Sequence, residues 1–325
     1  VTASAGVVTA STRVGAAATA AVCVALRAER AALRAAAGPV TRTGMGPRAA
    51  ARAARRLAGR PVLVAGVGGG LRTDVRPGDL VVATEVRGPS GARWSCPSAP
   101  LLAADLRRRG LTVHLGPIAS RPRVVDGAAR RELSGTGALA VDTESAWLAP
   151  AGGPFAVVRA IVDTERAPLW RPGTAVRGIR ALRALAAAVP AIDAWVAAAR
   201  PRRVLLANPR SLRYATTNRQ RAVGQIAGDC DLMLVLGSAN SSNSARLVEV
   251  ARREGVPARL VHDAVEVDLD MLAGAGRIGV TAGASTPPKL VDDLVACLRG
   301  LGPVTVDEAC AEPENMRFTL PKEVT

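Results

Sequence analysis

Short apolar runs alternate with Ala-, Arg- and Leu-rich stretches of helical period along the whole chain. Segments 61–67, 79–84, 139–141 and 155–161 have the length and apolar character of strands. Segments 47–57, 99–109 and 174–188 repeat their apolar residues at helical spacing. Strand and helix in alternation predict an α/β layered domain. The pattern restarts after a basic cluster at 200–203, with strands expected at 204–207, 232–236, 259–262 and 277–280 and helices at 219–227, 244–253 and 289–300. Pro201 follows the helix before that cluster, so the expected boundary separates residues 1–200 from 201–325. Segment 14–26 is apolar enough for the core of a secretory leader. Arg27, Glu29 and Arg30 follow it where a small-residue cleavage site would stand, so it reads as a helix or a buried strand.

Composition narrows the picture. With 49% hydrophobic residues among 325 the chain has enough apolar material to fold, and no run of about 18 uncharged apolar residues offers a membrane span. The net charge of +16 falls wholly in residues 1–200, while residues 201–325 balance. Such a surplus suits a nucleic-acid or anionic-membrane partner. The Arg residues, however, are scattered over expected helices, and aromatics to stack bases are nearly absent at 2%. The expectation is therefore solvated charge, with no nucleic-acid partner. Cys23, Cys96, Cys230, Cys297 and Cys310 are widely spaced with no C-x-x-C pair, which argues against a disulfide framework or a zinc site. A cytoplasmic location follows as the expectation.

Two glycine-rich segments stand out in the first part: 43–47, Thr-Gly-Met-Gly-Pro, before a helix, and 66–71, Gly-Val-Gly-Gly-Gly-Leu, after an expected strand. Glycine there admits close approach of a ligand, and a helix start offers unpaired N–H groups to an anion. Tight packing accounts for such glycines equally well. Candidate acids lie farther along, Glu144 within Val-Asp-Thr-Glu-Ser at 141–145 and Asp163 at the end of Val-Val-Arg-Ala-Ile-Val-Asp at 157–163. By themselves these read as strand-end caps or surface ion pairs as readily as catalysts. His114 reads as a packed strand residue.

Taken in order with Pro-Gly-Asp-Leu-Val-Val at 77–82, these segments resemble the nucleoside phosphorylase and nucleosidase family, closest to its hopanoid-associated phosphorylase-like members, over about residues 20–195. The resemblance implies a three-layer α/β domain, a homo-oligomer through that domain, and cleavage of a purine N-glycosidic bond. Such cleavage passes through a ribosyl cation, so it needs an acid at the leaving base and groups that hold the sugar hydroxyls. By the resemblance Asp163 would protonate the purine and Glu144 would hold the ribose. Glu29 would activate water in the hydrolytic members, Arg159 would orient Asp163 or an anion, and Gly68 and Gly69 would lie against the substrate. Glu29 between Arg27 and Arg30 also fits a solvated helix face. Thr143 stands where this family often has Met. Glu29, Glu144 and Asp163 are expected to share one pocket beside 66–70.

The second part carries three longer motifs: Tyr-Ala-Thr-Thr-Asn-Arg-Gln at 214–220, Val-Leu-Gly-Ser-Ala-Asn-Ser-Ser-Asn-Ser at 235–244, and Val-Thr-Ala-Gly-Ala-Ser-Thr-Pro at 280–287. They resemble 4-hydroxy-3-methylbut-2-enyl diphosphate reductase. The resemblance implies a diphosphate site for an allylic substrate at Thr216, Asn218, Ser241, Ser242, Asn243 and Ser285. The same Ser and Asn runs serve as caps for the helices that follow them. The family holds a [4Fe-4S] cluster on cysteines. Here Arg213 takes the position of one ligand, and the two lobes that carry the others are missing between 210 and 213. Arginine cannot ligate iron. The expected cofactor is therefore none, and the expected C-terminal unit is one truncated lobe in which strand 204–208 joins residues 214–325. Glycosidic cleavage by the first part ranks ahead of diphosphate reduction and of a non-catalytic binding or scaffold role.

Overall fold

A computed structural model describes residues 19–207 and 216–308, with the side chains of 216–218 outside the description. The first sheet begins with β1 (Ala21–Val24), α1 (Arg27–Ala32), β2 (Val40–Arg42) and α2 (Pro47–Arg56). It continues through β3 (Val62–Gly70), β4 (Leu80–Arg87), β5 (Arg93–Ser95), α3 (Ala99–Arg108) and β6 (Val113–Ser120). Then come α4 (Gly127–Ser134), β7 (Ala140–Asp142), α5 (Ser145–Leu148), β8 (Phe155–Asp163), α6 (Thr174–Ala187) and α7 (Val189–Ala198). The described part of 14–26 contains the fully buried strand β1, the second of the two readings its pattern offered.

The sheet runs β2-β1-β3-β7-β6-β4-β5, and β8 bonds to both β3 and β4. Strands β3, β8, β4, β6 and β7 therefore close into a ring, so the α/β arrangement expected from the pattern is built on a sheet that curls on itself. Closure removes edges inside the ring, and the apolar runs Val62–Ala65 and Ala156–Val158 are buried accordingly. The glycine-rich segment after the strand expected at 61–67 continues that strand, so that 66–70 is the second half of β3. Its pairing with β8 slips at Gly68/Gly69, which brings Gly69 opposite Asp163. A bulge of this kind re-aims the side chains beside it. Helix α2 starts on Pro47, whose missing N–H costs nothing at a first turn, after Gly46 in a left-handed conformation at φ 80°.

The second sheet is built from β9 (Arg202–Leu206), α8 (Thr216–Ala227), β10 (Leu232–Leu236), α9 (Ser242–Arg253) and β11 (Ala258–Val261). It is completed by α10 (Leu269–Ala273), β12 (Arg277–Ala282), α11 (Pro288–Arg299) and β13 (Val304–Glu308). All five strands are parallel in the order β11-β10-β12-β9-β13, with β9 held between β12 and β13. The two parts share one apolar core that includes Leu102, Ile192 and Trp195 of the first and Leu272, Leu294 and Leu298 of the second. Trp195 is fully buried in it and donates its Nε1–H to Ser98 Oγ at 3.0 Å. No single helix among the described residues is long and apolar enough to cross a membrane. Helices α6 and α7 reach that length only together, across a 42° bend, and α7 spends its apolar side chains on the shared core.

Candidate active site

At the end of the ring where β3 and β8 finish, beside the short antiparallel β7, lies a cavity of about 320 Å³. Glu29, Gly68, Gly69, Arg130, Glu144 and Asp163 line it, and the rest of its wall is largely aliphatic. Glu29 on α1 is buried rather than on a solvated face. Its Oε2 accepts the backbone N–H groups of Ala25 and Leu26 at 2.8 and 2.7 Å, and its Oε1 accepts that of Val67 at 2.8 Å. Desolvation raises its pKa above the ordinary range, against the opposing pull of Arg159 and those three amides.

This crowding explains the glycines of β3. A Cβ on Gly66 would stand 2.6 Å from Glu29 Oε1 and 2.7 Å from an Arg159 guanidinium nitrogen. One on Gly69 would stand 2.9 Å from Arg130 and 3.2 Å from Asp163. The strand is bare so that charged groups can lie over it.

Arg159 is fully buried and holds Asp142 and, at 3.3 Å, Glu144, together with Ser145 Oγ at 3.2 Å. Burial works against its charge, but Asp142, Glu144 and Glu29 outweigh that and raise its pKa. Its expected role beside Asp163 is not what the structure has. Asp163 pairs with Arg130 of α4, which also donates to Gly70 O at 3.0 Å and Val125 O at 3.1 Å. Side-chain direction decides this: Arg159 lies on β8 opposite Gly66, and the register slip sends Asp163 toward α4. Burial pushes the Asp163 carboxyl up, with Arg130 and then Arg177 opposing. Glu144 Oε1 accepts from Gly46 N at 3.1 Å and from the Thr143 hydroxyl, so the first glycine-rich segment also reaches the site. The pattern of the sequence singled out neither Arg130 nor Asp142. Among so many arginines only burial distinguishes Arg130, and Asp142 is recognised by its contacts with Ser120, Ser145 and Arg159. His114 is a packed strand residue, tied through Nε2 to Asp79 at 2.9 Å.

In the second part the loops after β10 and β12 meet, because those strands are paired up to Leu236↔Ala282. Gly283 N and Thr286 Oγ1 both donate to Leu236 O, at 2.8 and 3.1 Å. Ser241 caps α9 by accepting from Ser244 N at 3.3 Å, Ser242 is exposed, Asn243 is partly buried and Ser285 is exposed. The side chains of Thr216 and Asn218, and all of Arg213 and Cys310, lie outside the described residues. The cluster that the reductase resemblance implies needs several thiolates around one space. Cys230 and Cys297 sit in separate apolar cores, and burial pushes each thiol up to about 11. Among the described residues no three Cys, His, Asp or Glu side chains converge to hold a metal. The donors described do not fit the cluster.

Comparison with known proteins matches two different families along the chain, the second match beginning at residue 188, ahead of the boundary expected at 200. Residues 39–177 match the phosphorylase superfamily. Residues 188–299 match the LytB protein family. Curated relatives of the LytB part include 4-hydroxy-3-methylbut-2-enyl diphosphate reductase 2 of Mycobacterium bovis, 51% identical over 111 residues that make up 34% of this chain and 34% of that protein. The corresponding reductase of Stenotrophomonas maltophilia is 57% identical over 111 residues, 34% of this chain and 35% of its own. The chain spans about a third of the length of the curated relatives it matches. Among solved structures, the S-adenosylhomocysteine nucleosidase of Streptococcus pyogenes aligns with 53% of this chain and 96% of its own, at 19% identity and a TM-score of 0.44. The 5'-methylthioadenosine/S-adenosylhomocysteine nucleosidase of Neisseria meningitidis aligns with 54% and 98%, at 22% identity and a TM-score of 0.44. Both resemblances read from the motifs are thus found again, one in each part.

Proposed function

We propose that the phosphorylase part cleaves the N-glycosidic bond of a purine nucleoside in the cavity at the end of the ring. The observation that carries this reading is the convergence of three buried carboxyls, Glu29, Glu144 and Asp163, on one cavity, two of them with raised pKa. The C–N bond breaks with its electron pair going to the base. Asp163, which burial helps keep protonated, supplies the proton that makes the base a leaving group. Glu144 accepts from the sugar hydroxyls while Arg159 holds its other oxygen in place, and the negative charge of the surrounding carboxylates favours the cationic sugar. Glu29 takes a proton from the attacking water in the hydrolytic version. A screen of purine nucleosides for free base, with and without phosphate, tests the proposal. Base release is expected, and its absence from every purine nucleoside would overturn it.

A second reading concerns the LytB part, where the meeting of the Ser241–Asn243 and Ser285 loops at the C-terminal ends of parallel strands favours an anion. We propose that an allylic diphosphate binds there weakly, with Thr216 and Asn218 contributing. Titration calorimetry with such a diphosphate tests it, and no heat at millimolar concentration would contradict it. Electron-dependent reduction is not expected, since the donors described do not assemble a cluster. Stoichiometric iron and sulfide after anaerobic reconstitution would show otherwise.

A further inference from the structure

The corner of the cavity around Asp163 is built from hydrogen-bond donors. Arg130 on α4 lines the cavity and is only 4% exposed. Its guanidinium is anchored at three points: Nη1 donates to Gly70 O at 3.0 Å, and Nη2 donates to Val125 O at 3.1 Å and to Asp163 Oδ2. Those bonds use three of the five N–H groups that an arginine carries. The other two, on Nε and Nη1, have no protein acceptor among the described residues. Val125 and Asp163 line the same cavity, so a main-chain carbonyl and a carboxyl oxygen that this wall could offer to a base are already filled. An ion pair alone would leave the Val125 carbonyl free to accept from a ligand. Here one guanidinium nitrogen covers both.

Because Asp163 Oδ2 is held by Arg130, the proton needed for departure of the base falls to Oδ1. The protonated carboxyl and the guanidinium beside it then present two donors side by side. Purines differ at the edge that carries N7: a 6-oxopurine offers two acceptors there, N7 and O6, whereas adenine offers N7 and an amino donor. Two donors match the first edge and set N–H against N–H at the second. We propose that Arg130 reads O6 of the leaving base, so that the cavity selects 6-oxopurine nucleosides, the class of inosine and guanosine, over adenosine. This rests on the glycosidic reading and assigns its substrate class. Burial of the anchored fork sharpens the choice, because an amino group placed against it would lose its hydrogen bond to water and gain none. The bare strand makes the arrangement possible, since a Cβ on Gly69 would crowd both Arg130 and Asp163.

Steady-state base release by the full chain from inosine, guanosine and adenosine, beside calorimetric binding of hypoxanthine and adenine, tests the assignment. kcat/KM for inosine and guanosine should exceed that for adenosine by about 10- to 100-fold, the usual worth of one well-placed base contact. Hypoxanthine should bind more tightly than adenine by a similar factor. Arg130→Gln, whose amide oxygen can accept from an N6 amino group, should narrow or reverse the preference, and its melting temperature shows whether it folds. A preference for adenosine, equal rates on all three nucleosides, or an unchanged ratio in folded Arg130→Gln would overturn the proposal. If that variant does not fold, the wild-type comparison decides by itself. Release of base from no nucleoside, with hypoxanthine still bound more tightly than adenine, would overturn the glycosidic reading and leave the role of Arg130 standing. No release together with equal binding of the two bases would end both.

Discussion

Arg159 is the residue on which the site's charge balance turns. It is the buried cation for Asp142 and Glu144 and lies over the glycine strand beside Glu29. Arg159→Met should therefore cost about 3–5 kcal/mol in urea unfolding, since it leaves buried carboxylates uncompensated. A loss below about 1 kcal/mol would mean that they are solvated or neutral. Glu29 and Asp163 have folded pKa values raised by burial, so each binds its proton more tightly folded than unfolded. The stability they contribute is complete below the ordinary carboxylate range and is lost as pH rises through the raised values. The double variant Glu29→Gln, Asp163→Asn should flatten the fall of melting temperature over that window, and an unchanged slope would contradict the assignment. Glu29, Glu144 and Asp163 were legible in the sequence through motif order. Arg130 was not, because the partner of Asp163 is selected by a register slip that no local pattern records.

At the scale of elements, the long periodic ones were readable: strand 232–236 forms as expected, and helices 47–57 and 174–188 end within a residue of α2 and α6. Strands β2 and β5 and helix α5 have three or four residues each, too few to display a period. Strand β3 extends past the expected end at 67, because Gly-Val-Gly-Gly-Gly has low strand propensity and its pattern does not announce a strand. Here the need to seat charged side chains above the backbone outweighs that propensity. Helix α7 is the element that joins the two parts. Trp195→Ala should remove about 3–5 kcal/mol and leave the Ser98 hydroxyl buried without its donor. A loss comparable to a surface substitution would show that the shared core does not hold the parts together.

At the scale of the whole molecule, the phosphorylase part supplies a closed ring with an acid-lined cavity, and the LytB part supplies a parallel sheet whose core is continuous with it. A common core predicts one cooperative thermal transition, observed together in near-ultraviolet and far-ultraviolet circular dichroism. Two separated transitions would indicate independent units. The continuity was not readable from the sequence, where the break in pattern at 200–203 suggested only a boundary. The most direct test of glycosidic cleavage in the cavity is the steady-state kinetics of base release by Asp163→Asn. If Asp163 is the proton donor, kcat should fall by about 10²- to 10⁴-fold while KM stays nearly constant. A variant with wild-type kcat, or one that loses substrate binding and turnover in equal measure, would contradict that role.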